Sequence, residues 1–72
     1  MTKYHIDIFY SEEDEGYIAN IPDLEYCSAF GKTPHAALEE VLTALELWLL
    51  AAKANNLDIP KAVYKPVYSK IA

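Results

Sequence analysis

The chain has no arginine, a single cysteine, two glycines and no long apolar run among its 72 residues. One cysteine, Cys27, excludes an intrachain disulfide, and with only His5 and His35 beside it the four clustered ligands of a structural zinc site are missing. The basic residues are all lysines, so bidentate guanidinium contacts to phosphates or base edges are not available. The chain contains no phosphate-cradling glycine loop, nucleophile elbow or zinc motif, and no cofactor is expected. No segment approaches the ~20 apolar residues of a membrane span, so no membrane association is expected. Met1-Thr2-Lys3-Tyr4-His5 leads directly into alternating residues without an apolar leader. With one unpaired cysteine, this points to the reducing cytoplasm.

What is abundant is apolar and acidic. Hydrophobic residues make up 53% of the chain, the net charge is −5 and the pI is about 4.7. The length predicts one domain over 1–72, whose core would supply only about 3–5 kcal/mol. More apolar surface than so small a core can hide predicts a homo-oligomer, a dimer or a tetramer. The acidity suits a basic partner steered by complementary charge, or simply keeps the domain soluble.

Residues 4–10 alternate: Tyr4, Ile6, Ile8 and Tyr10 share one face, and His5, Asp7 and Phe9 the other, as in a strand. An acidic loop, Ser11 to Gly16, leads to a second strand over 17–21. Pro22-Asp23 marks a turn, residues 26–30 a short third strand, and Gly31-Lys32 its end. Thr33 is placed to cap a helix that opens on Pro34. Leu38, Val41, Leu42, Leu45, Trp48, Leu49 and Ala52 recur at three- and four-residue steps as one apolar stripe, and Asn55-Asn56 can stop the helix in a left-handed turn. Val63 to Tyr68 alternates again and reads as a fourth strand, confined by Pro66 to an edge. The fold class is therefore α+β: a three-stranded antiparallel sheet, one long helix and a short C-terminal edge strand (β-β-β-α-β).

Three groups of residues invite a functional reading. Glu12, Glu13, Asp14 and Glu15 form a solvated hairpin tip that can meet a basic partner; they lack the ligand spacing of a calcium loop. Leu47, Leu50 and Ala51 lie outside the main helical stripe and, with Tyr64 and Tyr68, are the expected oligomer interface. Lys61, Lys65 and Lys70 around Tyr64 and Tyr68 are the one segment with the lysine–aromatic mixture of a weak nucleic-acid binder. Asp7 has no companion carboxylates for two-metal chemistry. Cys27 reads as a small buried hydrophobe, and His35 as an exposed helix residue. No enzymatic site is expected.

Taken in order, Asp14-Glu15-Gly16-Tyr17-Ile18-Ala19, Ile21-Pro22-Asp23-Leu24, Cys27, Gly31, Thr33-Pro34, Ala37-Leu38 and Ile59-Pro60 resemble the HicB-like antitoxin family, over most of the chain. The resemblance implies a partial ribonuclease-H-like fold, an oligomer, and a non-enzymatic domain that blocks a small basic mRNA-cleaving toxin of the HicA type. The chain departs from the family pattern in two places. Asp23-Leu24-Glu25-Tyr26 stands where the family favours Pro-Gly before the cysteine, and His35-Ala36 where it favours two glutamates. Only a short segment follows Pro60, so no C-terminal DNA-binding unit, and no DNA binding, is expected. A solitary oligomeric member with weak nucleic-acid binding through the lysine–tyrosine segment is the alternative.

Overall fold

The computed structural model describes residues 2–66. Its elements run β1 (Asp7–Ser11), β2 (Gly16–Asn20), β3 (Ser28–Gly31) and α1 (Pro34–Ala54), and the three strands form one antiparallel sheet in the order β1-β2-β3. The first strand begins later than its alternating pattern, because β2 ends at Asn20, the partner of Asp7. Tyr4 and Ile6 run beyond the ladder yet still pack on the core. The third strand also begins later, at Ser28.

The delay comes from the turn before β3. Leu24 donates its N–H to the Ile21 carbonyl (3.1 Å), Cys27 to that of Leu24 (3.4 Å), and Ile21 to that of Cys27 (3.0 Å). Closing this double turn places Tyr26 at φ 61, with its side chain 93% exposed. A left-handed conformation costs a side-chain-bearing residue about 1–2 kcal/mol, and burial returns nothing here. Tyr26→Gly is therefore expected to stabilise the protein by about 0.5–1 kcal/mol after glycine's own chain entropy is set against the gain. A rise in melting temperature of a few degrees would register this, and a fall would refute it.

Register assigns the two faces of the sheet. Residues paired directly across antiparallel strands share a face. Ile8, Ala19 and Ala29 form one row, and Tyr10, Tyr17 and Gly31 the next, on the side that α1 covers. The core of Ala19, Ile21, Leu24, Cys27, Ala37, Val41 and Leu45 sits between this face and the helix. Its small residues permit a close approach: a Cβ on Gly31 would lie 2.2 Å from the backbone nitrogen of Ala37.

Both helix ends are closed as the sequence predicts. Thr33, in extended backbone, accepts the Ala36 N–H on its hydroxyl at 3.0 Å, with Pro34 beginning the helix. At the other end Leu57 donates its N–H to the Ala52 carbonyl (2.8 Å) and Asn56 to that of Lys53 (3.2 Å), with Asn56 at φ 55. This pair of bonds is a Schellman closure. The indole N–H of Trp48 donates to the Glu25 carbonyl at 3.0 Å and ties the helix to the double turn.

Beyond the helix the chain returns to the start of the sheet. The Tyr4 hydroxyl donates to the Pro60 carbonyl, and the Tyr64 N–H reaches both carboxylate oxygens of Asp23, each at 3.1 Å. Asp23 thus serves a contact 41 residues away as well as standing in its own turn. Of the strand expected over 63–68, residues 63–66 carry no strand pairing, and 67–68 lie outside the described residues.

Candidate binding surfaces

The face of the sheet turned away from α1 is organised in three rows. Asp7, Asn20 and Ser28 form a polar row at one end. Phe9, Ile18 and Phe30 form the central row, one from each strand and in register. Ser11 and Gly16 close the other end. Phe9 is 51% exposed and Phe30 38%, although sheet interiors ordinarily bury such side chains. The Phe30 ring leans over Gly16, where a Cβ would meet it at 2.4 Å, so glycine lets the aromatic lie flat across β2. The Lys32 ammonium stands 5.8 Å from the centre of the same ring.

The acidic hairpin tip adjoins this surface. Glu12, Glu13, Asp14 and Glu15 follow Ser11 directly and are all exposed. Asp14 has a second task, accepting the Ser11 hydroxyl at 2.8 Å, while its own N–H lies 3.4 Å from that oxygen. The left-handed residue of the tip is Glu15, at φ 52, rather than Gly16. The three glutamates project charge, while Asp14 also shapes the turn. An apolar row with carboxylates beyond one end and Lys32 beside Phe30 offers a desolvating centre with a charged rim, the arrangement typical of protein-binding surfaces.

A second surface lies on the outer side of α1. Leu47 and Leu50 are 62% and 64% exposed, and Ala51 is exposed too. Glu46, Leu49, Leu50, Lys53 and Ile59 line an open groove of about 440 Å³ between the end of the helix and the chain that follows it. Tyr64, expected in the same interface, is instead beside the sheet: its ring packs on His5 with centroids 5.0 Å apart. Tyr68 and Lys70 lie outside the described residues. Lys61 and Lys65 are exposed.

The remaining reactive side chains do not converge. Cys27 is buried, and burial pushes its thiol above the ordinary range, which disfavours the thiolate nucleophile. Asp7 has His5 as its neighbour, with Nε2 3.8 Å from the carboxylate. His35 is on the surface, 3.0 Å from Glu39 one helical turn on. Among the described residues, no group of three or more His, Cys, Asp or Glu side chains is placed to hold a metal ion. Among them, too, no helix is long and apolar enough to cross a membrane.

Sequence reading located the acidic tip and the helical leucines but not the aromatic row. Phe9 was legible as lying opposite Ile8, yet its alignment with Ile18 and Phe30 depends on a register that a single strand does not contain.

Three antiparallel strands backed on one side by a single helix, with the other side open, define a small two-layer α+β domain. The chain belongs to the UPF0150-like family, whose model matches residues 2–60. It is similar to the UPF0150 protein ssl0259 of Synechocystis sp., with 36% identity over 53 residues, 74% of this chain and 73% of the relative. It is also similar to the UPF0150 protein Ta0767 of Thermoplasma acidophilum, with 34% identity over 59 residues, 82% of this chain and 84% of the relative. No solved structure matches it.

Proposed function

We propose that the protein is a cytoplasmic HicB-like antitoxin-type module that binds and occludes a small, basic, mRNA-cleaving HicA-type toxin. The observation that carries this reading is the open Phe9–Ile18–Phe30 row with the glutamate tip at its margin. The acidic tip and net charge of −5 steer a basic protein toward the sheet, and the aromatic row gives it an apolar floor to desolvate. Family membership supports the reading through the resemblance of these small domains to HicB-type antitoxins.

The test is to mix the purified chain with a HicA-type ribonuclease at low and moderate salt and to follow complex formation and RNA cleavage. A complex that suppresses cleavage is expected, and no complex with undiminished cleavage at either salt refutes the proposal. Phe9→Glu, at a half-exposed site, is expected to weaken the complex by about 100-fold, the scale of an interface hot spot. Replacing Glu12, Glu13 and Glu15 with lysine, and leaving Asp14 to hold the turn, is expected to slow association about tenfold at low salt and less at high salt. An unchanged association rate would remove the tip from the docking path.

A further inference from the structure

The dimensions of the open face limit what can lie on it. Neighbouring strands stand about 4.8 Å apart, so Phe9, Ile18 and Phe30, in register on three strands, recur at that step over about 10 Å. Along the strands the next row on the same face is about 7 Å away, and it is not apolar on either side. Asp7, Asn20 and Ser28 form it on one side, Ser11 and Gly16 on the other. The apolar strip is therefore one row wide and runs across the strands.

That strip matches one kind of element. An extended peptide presents same-face side chains about 7 Å apart, out of step with the row. A helix repeats its apolar side chains at i, i+3 or i+4, and i+7, a mean step of about 5 Å and a span of about 10.5 Å. Laid across the strands, it sets one apolar side chain against each of them. Laid along them, it would leave the strip within a turn. Charge specifies the rest. Asp7, with its side chain 41% exposed, stands in the row on one flank. On the other flank the glutamate tip begins at Glu12, three residues beyond Phe9 and about 10 Å along the strand. Lysine or arginine on each side of the apolar stripe could lay its aliphatic stem along the row and reach these carboxylates. Lys32, beside Phe30, sets a like charge at the β3 end of the strip and so confines the partner's cations to the flanks. We propose that the open face receives a basic amphipathic helix of a partner protein, lying across β1, β2 and β3. Its apolar stripe rests on Phe9, Ile18 and Phe30, and its cations meet Asp7 on one side and the glutamate tip on the other. The docking mode deepens the toxin-binding reading and rests on it for the identity of the partner.

The probe is a synthetic peptide of about 15 residues, lactam-bridged into a helix, with leucine at i, i+3 and i+7 and lysine on both flanks. Binding to the full chain is followed by fluorescence anisotropy and amide chemical-shift mapping, with circular dichroism as the folding control. A patch this small predicts a Kd between about 10 µM and about 1 mM, with shifts centred on Phe9, Ile18 and Phe30. The same residues reordered to alternate with period two should bind at least about tenfold more weakly. Phe9→Ala should weaken the helical peptide about tenfold. Asp7→Lys should do so to a similar extent, and a peptide with glutamate on the flank that meets position 7 should recover the loss, which a merely unfolded variant would not allow. No binding of the helical peptide at about 1 mM overturns the proposal, as do equal binding of the reordered peptide and shifts confined to α1. Shifts at Phe9 and Phe30 that move on dilution of the chain alone mean that a second copy covers the row, and they overturn it too. A HicA-type ribonuclease separates the two readings. Peptide binding without capture of the ribonuclease upholds the docking mode and refutes the toxin as partner. An inhibited ribonuclease whose capture leaves the row unshifted upholds the toxin and overturns the helix.

Discussion

Gly31→Ala is expected to leave the chain unfolded at 25 °C. The added methyl carbon would lie 2.2 Å from the Ala37 nitrogen, 2.6 Å from the Ala36 carbonyl carbon and 2.7 Å from the Ala37 Cα. All three are backbone atoms in the first turns of α1, so no side-chain rotation relieves the overlap. The helix would have to move off the sheet by more than an ångström, opening the contact among Ala19, Ala37 and Val41 on which the core depends. Overpacking that flexible side chains absorb costs about 1–3 kcal/mol. An immovable backbone exceeds that, against a total stability of roughly 3–5 kcal/mol for a core of this size. Loss of the far-ultraviolet helical signal and of amide chemical-shift dispersion would confirm the effect. Gly16→Ala is the informative comparison. Its nearest obstacle, at 2.4 Å, is the rim of the Phe30 ring, which can swing toward solvent, although the Gly31 carbonyl at 2.9 Å limits the relief. That variant should fold with reduced stability, and equal loss of structure in both would refute the account of Gly31.

Ile21→Ala is expected to cost about 2–5 kcal/mol, the range for truncating a fully buried branched side chain, and so to populate the unfolded state heavily. Ile21 is 0% exposed and is among the largest wholly enclosed side chains. Its backbone N–H and carbonyl also close the double turn to Cys27 and from Leu24. Those hydrogen bonds survive the substitution, so the loss isolates side-chain packing. Denaturant titration should show a lower midpoint with an unchanged slope. Phe9→Ala, which removes a larger side chain from the open face, should cost well under half as much, because its ring is 51% exposed. If the two substitutions destabilise equally, the open face is covered in solution and the aromatic row is not a free binding surface.

The same contrast runs through the relation of sequence to structure. Period-two and period-3.6 patterns located three strands and a helix, because each pattern is local and decides which side chains can share a face. Thr33-Pro34 and Asn55-Asn56 bounded the helix because capping chemistry acts within a turn of the chain. The ends of β1 and β3 were less legible. Pairing, not propensity, decides where a strand starts, and the partner of Asp7 is the last residue of β2. Gly31 illustrates the limit. Read along the chain it breaks a strand, whereas in space it terminates one and admits a helix to within contact of its backbone.

What the sequence determined by itself, then, is the inventory: a βββα order, a capped helix, an acidic tip, outward leucines at 47 and 50, and a single cysteine. Each follows from composition or from interactions within a few residues. Only the tertiary structure decided that Phe9, Ile18 and Phe30 form one open row, that Gly31 is required by close approach while Gly16 makes room for the Phe30 ring, that Asp23 holds the backbone of Tyr64, and that Ile59 walls a groove beside Leu50. These depend on strand register and on contacts between residues far apart in the chain, and neither quantity exists until the sheet has paired and the helix has docked on it.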